Sequence, residues 1–468
     1  MTENQDYCFD DDVIAGIATA VSEAGIGIIR VSGRHCDQMI DGIFRPGDRR
    51  GSLQASPANL LHYGFIEDGK ETVDEVLVSV MRAPHSFTAE DTVEINCHGG
   101  VYAVRRVLDL VVGRGARLAL PGEFTQRAFL NGRIGLSQAE AVMDVIQAKN
   151  ELALKSSMGQ LQGSLQQKIS ALRGQILHEL AFIEAALDDP EHYSTQGYAE
   201  VLDEKVKSWM EDINALIASS QRGALIREGI RTAIIGKPNV GKSSLLNALM
   251  GQERAIVTDQ AGTTRDVLTE TLRIGQVVLT LTDTAGIHRT EDTVEKIGVK
   301  RACESAKNAD LVLFVIDSSQ KTDWEDEQIL QLIRDKKIIA LLNKSDLSPV
   351  TTADSLRRIL PEQAIVLQVS ALTGRGMQLL GETIEELFYK GGISFNDQLV
   401  VTNARHRQLL EETKEALCHV EEALLLSMPE DFISIDLTQA CSCLGGITGD
   451  EVREDLVREI FSKFCMGK

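Results

Sequence analysis

The segment GKPNVGKS, from Gly236 to Ser243, constrains the fold of this chain more than any other feature. It follows an apolar run, Arg231 to Ile235, and precedes a helix-like stretch, Ser243 to Leu249. In a G-x-x-x-x-G-K-[ST] pattern the loop's backbone N–H groups and the helix N-terminus surround phosphates. The pattern therefore predicts a strand, a phosphate loop and a helix, with Lys242 on the β- and γ-phosphates and Ser243 on Mg²⁺.

Asp283-Thr284-Ala285-Gly286 follows the apolar run Val277 to Leu281. At the end of such a strand a carboxylate can hold the Mg²⁺ shell through water, and the Gly286 N–H can meet a γ-phosphate. On its own this motif could also be a simple turn at a strand end. Its position after the phosphate loop favours the nucleotide role.

Asn343-Lys344-Ser345-Asp346 ends the run Ile338 to Leu342, and Ser370-Ala371 follows further along. The Asp346 carboxylate can accept hydrogen bonds from the N1–H and the exocyclic amine of guanine, a pair that adenine cannot supply. Charge-assisted hydrogen bonds contribute roughly 1.5–3 kcal/mol each, so the pair discriminates between the bases. Although N-K-x-D alone could be a solvated turn, the ordered set of motifs predicts GTP binding.

Composition limits the remaining possibilities. A chain of 468 residues with 43% hydrophobic content can bury more than one core, and its length suggests about three domains. It has no apolar stretch near the roughly 20 residues of a membrane span, and its acidic N-terminus, MTENQDYCFDDD, is unlike a targeting peptide. We therefore expect a cytoplasmic protein without a membrane partner. The net charge of −21 disfavours non-specific nucleic-acid binding.

The cysteines indicate neither a zinc site nor a disulfide framework, because they lack paired spacing and histidine partners. Most are expected to be packing thiols. The eight positions are Cys8, Cys36, Cys97, Cys303, Cys418, Cys441, Cys443 and Cys465.

The chain changes character along its length. Short apolar runs with Gly and Pro punctuation predict an α+β unit near the N-terminus. Apolar residues spaced by three and four from Leu154 to Leu187 then predict a long amphipathic helix or a helical pair. Strand runs alternating with helical segments between Gly229 and Lys390 predict a mostly parallel α/β sheet. Helical spacing returns from Leu410. We predict a GTPase domain inserted into a helical bundle, with bounds at 1–130 (N-terminal), 131–228 (helical, first part), 229–391 (G domain) and 392–468 (helical, second part).

With these motifs in place, the chain resembles the MnmE (TrmE) family of tRNA-modification GTPases over nearly its whole length. The GTPase motifs alone would identify only the superclass, and the flanking segments make the resemblance specific. The matching segments are GIGIIRVSG (25–33), EINCHGG (94–100), PGEFTQRAFLNGRIGLSQAEAV (121–142), the phosphate loop, TDQAGTTRD (258–266), DTAGIH (283–288) and FCMGK (464–468).

The resemblance implies a tetrahydrofolate-binding, dimerising N-terminal domain, a discontinuous helical domain and an inserted Ras-like G domain. It implies that a homodimer acts with an FAD-containing partner of the MnmG (GidA) type, as a heterotetramer, on tRNA. The product is an aminomethyl or carboxymethylaminomethyl group at C5 of the wobble uridine, with a 5-formyl or methylene tetrahydrofolate as one-carbon donor. GTP hydrolysis drives conformational change.

One mechanistic gap is visible in the residues themselves. Ras-like enzymes place a water-orienting Gln directly after the D-x-x-G motif, whereas this chain has Ile287 there. An aliphatic side chain cannot orient water, so another group must polarise the attack. In the family, K⁺ bound near the phosphates of paired G domains takes this role.

The resemblance assigns roles to individual residues near the phosphates. Asn239, Thr258, Gln260 and Thr263 match potassium-contacting positions, and Thr264 matches the residue that joins Ser243 on Mg²⁺. Glu295 matches the glutamate that acts on the attacking water, although alone it would be interpreted as a carboxylate at a helix start. Catalytic roles thus fall to Glu295, Asn239 and Lys242. The nucleotide-binding set is Asn239, Val240, Gly241, Lys242, Ser243, Ser244, Thr258, Asp259, Gln260, Ala261, Gly262, Thr263, Thr264, Asp283, Thr284, Ala285, Gly286, Asn343, Lys344, Asp346, Ser370, Ala371 and Leu372.

The folate residues transfer in the same way. Arg30 and Glu94 match pterin-side contacts, Arg133 stands where some members carry Lys, and the terminal Lys468 matches a contributor near the same pocket. Cys465 lies in the family's terminal Cys-x-Gly-Lys motif and is a candidate reactive thiol, with a packing role as the plainer interpretation.

A second class of function stays open from sequence. The chain could be a regulatory or ribosome-assembly GTPase whose flanking domains only recruit partners. Such proteins usually add a basic RNA-binding module, and this chain lacks the Lys and Arg clustering for one. Folate binding to the chain separates the two hypotheses.

Overall fold

The structure is a computed structural model that describes residues 12–47, 51–189, 192–193, 197–252, 270–275, 277–281, 306–389, 400–451, 454–464 and 467. The chain divides into two compact units, each built from segments distant in sequence. The first contains Met1–Met143, Gln160–Glu184 and Leu437–Lys468, and the second contains Asp144–Gly159 and Ala185–Asp436. The four domain bounds given above stay a prediction.

The first unit contains a seven-stranded sheet in the order β3-β4-β5-β6-β2-β1-β7. Its neighbours pair antiparallel except β1 and β7, which are parallel. Along β6 (Thr92–His98), Val93, Ile95 and Cys97 are buried on one face, where helix α2 (Val101–Gly113) contributes Val104, Val107 and Val111 to the core. The strands are β1 Ile14–Ile17, β2 Ile26–Ser32, β3 Phe44–Pro46, β4 Leu60–Asp68, β5 Glu71–Met81, β6 Thr92–His98 and β7 Arg117–Leu118.

The helices of the first unit include two near the sheet, a short 3₁₀ turn and one that follows β7. They are α1 Cys36–Asp41, the turn Leu53–Ala55, α2 Val101–Gly113 and α3 Glu123–Leu130. Four further helices of the described residues lie wholly or mostly in this unit: α4 Leu136–Gln147, α6 Ser164–Asp188, α13 Glu430–Thr448 and α14 Glu454–Ser462. Helix α5, Glu151–Leu161, lies mostly in the second unit.

The apolar stripe predicted from Leu154 to Leu187 falls on two consecutive helices, α5 and α6. Gly163, with φ of 90°, separates the two helices. The middle of the stripe is buried, at Leu165, Ile169, Leu172, Ile176, Leu180 and Ile183. Its outer members are more exposed, since Leu154, Met158 and Leu187 are 43%, 37% and 44% accessible.

The second unit contains a six-stranded sheet in the order β13-β12-β11-β8-β10-β9. All neighbours are parallel except β9 and β10, which form an antiparallel edge. The predicted α/β arrangement with a mostly parallel sheet is confirmed. The strands are β8 Ile230–Ile235, β9 Glu270–Ile274, β10 Val277–Leu281, β11 Leu311–Asp317, β12 Lys337–Asn343 and β13 Ile365–Gln368.

Both faces of this sheet are covered, as a parallel sheet requires. Leu313 and Val315 of β11 pack on one face, and Val312, Phe314 and Ile316 pack on the other. Helix α12 (Ala404–Leu425) packs along α7 (Tyr198–Glu228), whose apolar residues recur every three or four positions. The helices of this unit are α7 Tyr198–Glu228, α8 Lys242–Gln252, α9 Trp324–Ile333, α10 Ala353–Arg357, α11 Met377–Tyr389 and α12 Ala404–Leu425.

No helix within the described ranges is long and apolar enough to cross a membrane.

Candidate functional site

The phosphate loop connects β8 to α8 in the second unit, as the sequence predicts. Glycine is required at two positions of the loop, because neighbouring atoms lie too close there to admit a side chain. A Cβ on Gly236 would lie 2.3 Å from the Val315 carbonyl oxygen, and a Cβ on Gly241 would lie 2.3 Å from Asn343 Nδ2. The loop therefore follows a path that only glycine permits at these two positions. Val240 is buried, whereas Ser243 and Ser244 are exposed at the start of α8.

Lys242 begins α8 and its side chain lies over its own loop. Its Nζ donates hydrogen bonds to the carbonyl oxygens of Gly236, at 2.8 Å, and Lys237, at 2.6 Å. Burial lowers the pKa of Lys242 to about 8. A phosphate beside this ammonium would favour its charged form and raise that pKa.

Asn343 connects the three parts of the site that lie in the described residues. Its side chain is buried at the carboxyl end of β12. The Nδ2 group donates to the Val240 carbonyl at 2.9 Å, and Oδ1 accepts from the Ala371 N–H at 3.0 Å. This amide therefore joins the phosphate loop to both the guanine motif, Asn343 to Asp346, and the Ser370-Ala371 motif.

The base-reading carboxylate also has a fixed partner. Ser370 Oγ donates to Asp346 Oδ1 at 2.5 Å, and the Thr373 N–H donates to Ser370 Oγ at 3.2 Å. Leu372, beside them, is 85% exposed. Asp346 is thus held on one oxygen by the motif that follows it in sequence.

Lys344 makes a contact that motif spacing did not reveal. Its Nζ donates to the Asn239 carbonyl at 3.0 Å and to Asp317 Oδ2 at 2.7 Å. Asp317 ends β11 directly opposite Asn343 of β12. The sequence contains a signal for this contact, because Asp317 ends a buried strand run as Asn343 does. The carboxyl ends of parallel strands meet at one sheet edge.

Several predicted site residues lie outside the described residues. They are the segment Thr258 to Thr264, the segment Asp283 to Gly286, and Glu295, Cys465 and Lys468.

A second cluster lies in the first unit, around Arg30 on β2 and Glu94 on β6. These two residues face each other across the antiparallel pair. Arg30 Nε and Nη2 each lie 2.8 Å from Glu94 Oε1. The third nitrogen, Nη1, is buried and has no hydrogen-bond partner among the residues that the structure describes. A buried donor of this kind costs free energy unless a ligand or water satisfies it.

Aromatic rings and a second arginine surround this pair. The Arg30 guanidinium carbon lies 5.1 Å from the centroid of the Phe87 ring and 5.7 Å from that of Phe124. Arg133 donates to the Phe87 carbonyl at 2.7 Å and lies 5.2 Å from the same ring. The structure therefore brings Arg30, Glu94 and Arg133 together, and it adds Phe87 and Phe124, which sequence reasoning missed. We call these five residues the Arg30 cluster.

The C-terminal segment approaches the same strands. Gly467 is buried with φ of 84°, and a Cβ there would lie 2.0 Å from the Ile17 carbonyl oxygen. It also packs against Gly16, the β1 residue paired with Arg30. Glycine at this position lets the backbone lie directly on β1.

Two family models match the chain. The model described as the MnmE helical domain covers residues 136–465, and the model described as the N-terminus of GTP-binding protein TrmE covers residues 13–133.

Curated relatives match over almost the full length. The tRNA modification GTPase MnmE of Lachnoclostridium phytofermentans is 50% identical over 98% of this chain and 99% of its own. The protein of the same name from Clostridioides difficile is 45% identical over 98% of this chain and 100% of its own. Among solved structures, a variant of Aquifex aeolicus Era bound to GDP and AlF₄⁻ is 29% identical to this chain. The match covers 40% of this chain and 66% of that one, with a TM-score of 0.26. On the two family models and the full-length relatives, the chain belongs to the MnmE family of tRNA modification GTPases.

Proposed function

We propose that this chain hydrolyses GTP to GDP and phosphate as a component of the machinery that modifies tRNA. The observation that carries the GTPase assignment is the buried Asn343 amide, which joins the phosphate loop to both base-recognition motifs. Full-length relatives named as tRNA modification GTPases support the tRNA role.

The residues of the phosphate loop suit their proposed tasks. Lys242 would place its ammonium on the β- and γ-phosphates, and Ser243 with Thr264 would hold Mg²⁺. Ser243 is exposed at the helix start, and a hydroxyl is a suitable oxygen ligand for a hard cation. Bound Mg²⁺ would neutralise the charge that develops on the phosphates. Asp283 would hold the Mg²⁺ water shell, and Glu295 would act on the attacking water.

We further propose that K⁺ activates hydrolysis, held by Asn239 with Thr258, Gln260 and Thr263. The support in the described residues is the backbone of Asn239, whose φ is 63° and whose carbonyl oxygen is fixed by Lys344. An amide oxygen is a suitable ligand for a weakly hydrated monovalent cation.

The Arg30 cluster is the proposed site for a tetrahydrofolate derivative, in the 5-formyl or methylene form, which would supply the one-carbon unit. The residues fit such a ligand, because a pterin offers an aromatic face to Phe87 and Phe124 and hydrogen-bonding groups to a carboxylate and a guanidinium. Nη1 of Arg30 is a buried donor that no other described residue satisfies. Arg133 would attract the acidic tail of the folate, and Lys468, the last residue of the sequence, would add a second cation.

The wider assembly is also part of the proposal. We propose a homodimer formed through the N-terminal domain, joined by an FAD-containing MnmG-type partner into a heterotetramer. This complex would add an aminomethyl or carboxymethylaminomethyl group at C5 of the wobble uridine. The net charge of −21 supports tRNA binding through the complex rather than by this chain alone.

Removing the Arg30 side chain tests the folate site. We expect Arg30→Ala to weaken 5-formyltetrahydrofolate binding by about tenfold or more, because it deletes a charge-assisted donor and leaves Glu94 unpaired. Calorimetry on the full chain measures the affinity, and mant-GDP binding should stay unchanged.

Arg45→Ala is the matched control. Arg45 also pairs with a carboxylate, Glu67, and its guanidinium carbon lies 4.5 Å from the centroid of the Phe65 ring. It is on β3 at the far edge of the sheet. Equal folate affinity for Arg30→Ala and the unaltered chain would contradict the placement of this site.

A regulatory or ribosome-assembly switch is the alternative function. Nucleoside analysis of tRNA from cells lacking this protein separates the two, because only the proposed function requires loss of the C5 group from the wobble uridine. Full modification in such cells, together with no folate binding, would favour the switch.

A further inference from the structure

The carboxylate of Asp317 makes contacts that no assigned GTPase role uses. The residue is 4% exposed, at the last position of β11. Its Oδ2 accepts from Lys344 Nζ at 2.7 Å, and its Oδ1 accepts from the backbone N–H of Ser319 at 3.0 Å and from Ser319 Oγ at 2.6 Å. Both oxygens are therefore occupied, and the carboxylate is fixed in one orientation.

The charge state of Asp317 agrees with this geometry. Burial alone would raise the pKa of the Asp317 carboxyl, but hydrogen bonds from Lys344 and Ser319 outweigh burial and hold that pKa below its usual value. The group is an anion throughout the neutral range. Its partner Lys344 is partly exposed, with 34% of its side chain accessible against 5% for Asp317. The anchored member of the pair is the carboxylate.

Lys344 passes this restraint to the phosphate loop. The same Nζ that Asp317 holds also donates to the Asn239 carbonyl at 3.0 Å. Both Lys344, with φ of 59°, and Asn239, with φ of 63°, have left-handed backbones. Non-glycine residues adopt this region at a cost and keep it only where surrounding contacts impose it. The Lys344 ammonium, which Asp317 fixes, thus links two residues with strained backbones, Lys344 itself and Asn239.

We propose that Asp317 is a positioning residue for nucleotide binding, which fixes the Lys344 ammonium and thereby holds the guanine motif against the phosphate loop. This inference rests on the proposed function, since Lys344 and Asn239 belong to the predicted nucleotide-binding set. Asp317 acts on the nucleotide through Lys344. Removing the Asp317 carboxylate should therefore loosen the nucleotide site at both the guanine motif and the phosphate loop.

Affinity of the full chain for mant-GDP, measured by fluorescence, tests the proposal. We expect Asp317→Ala to weaken binding by about ten- to a hundredfold, the effect of one charge-assisted hydrogen bond. Asp317→Asn keeps an oxygen that can accept from Lys344 and should recover part of the loss. It also carries the test if the alanine variant does not fold.

A double-variant cycle distinguishes positioning from general stabilisation of the domain. If Asp317 acts through Lys344, the pair Asp317→Asn with Lys344→Met binds mant-GDP no more weakly than Lys344→Met alone. Losses that add independently would overturn the proposal.

Asp310→Asn is the matched control. Asp310 precedes β11 at its opposite end and pairs with Arg231 at 2.8 Å. We expect this variant to bind mant-GDP normally, and a loss equal to that of Asp317→Asn would overturn the proposal. Failure of the unaltered chain to bind mant-GDP would overturn the proposed function as well. Normal binding by the unaltered chain, with equal affinity for Asp317→Asn, would overturn this inference alone.

Discussion

Replacing K⁺ with Na⁺ is expected to lower GTP turnover by about a thousandfold, the lower end of what a cation beside the transferred phosphate contributes. The chain has Ile287 where a water-orienting Gln would stand, so it depends on another source of positive charge. Na⁺ forms shorter bonds and gives up its water less readily, so it should substitute poorly. Single-turnover hydrolysis in the two salts, at several protein concentrations, measures the effect.

Asn239→Gly is the variant that isolates the side chain. Glycine adopts the φ of 63° found at Asn239 without strain, and it keeps the carbonyl oxygen that accepts from Lys344. We expect this variant to lose the K⁺ stimulation while its mant-GDP affinity stays near normal. Similar turnover in K⁺ and Na⁺ for the unaltered chain would eliminate the potassium mechanism.

Asp346→Asn is expected to shift nucleotide preference from GTP to xanthosine triphosphate. The carboxylate accepts from the N1–H and amine of guanine, whereas an amide can donate to the xanthine carbonyl that replaces the amine. Two charge-assisted bonds of roughly 1.5–3 kcal/mol each correspond to about a hundred- to ten-thousandfold change in relative affinity. Competition of GTP and xanthosine triphosphate against mant-GDP provides the measurement.

Ser370→Ala gives the corresponding control. It removes the hydroxyl that donates to Asp346 Oδ1 and leaves the carboxylate unchanged. We expect weaker binding of GTP with no change in the preferred base. Unaltered GTP preference in Asp346→Asn would contradict base recognition by this residue.

Local sequence determined most of the nucleotide-binding framework. Strand β10 has the bounds of its apolar run, Val277 to Leu281, and β12 extends the run Ile338 to Leu342 by one residue at each end. The phosphate loop lies between β8 and α8 because glycine spacing and a following helix are local properties. The guanine motif was recognisable for the same reason, since its residues are consecutive and end a buried strand.

Contacts between distant segments were decided only by tertiary structure. Arg30 and Phe124 are separated by β3 to β7 in sequence, and their approach depends on how α3 packs near the sheet. The link from Asp317 to Lys344 depends on the register of β11 with β12. A single sequence shows which residues end a strand, but it does not specify which strand lies beside it.

The helical stripe shows the same division at a smaller scale. Its spacing of three and four predicted helix and a buried face, and Leu165 to Ile183 follow that prediction. The position of the break, at Gly163, and the exposure of Leu154 and Leu187 were not predicted, because they depend on where neighbouring segments end. Sequence thus determined the local conformations and the chemistry that each motif can perform, because hydrogen bonding and periodicity act over a few residues. Tertiary structure decided which charged groups meet, because burial and pairing depend on surfaces from separate parts of the chain.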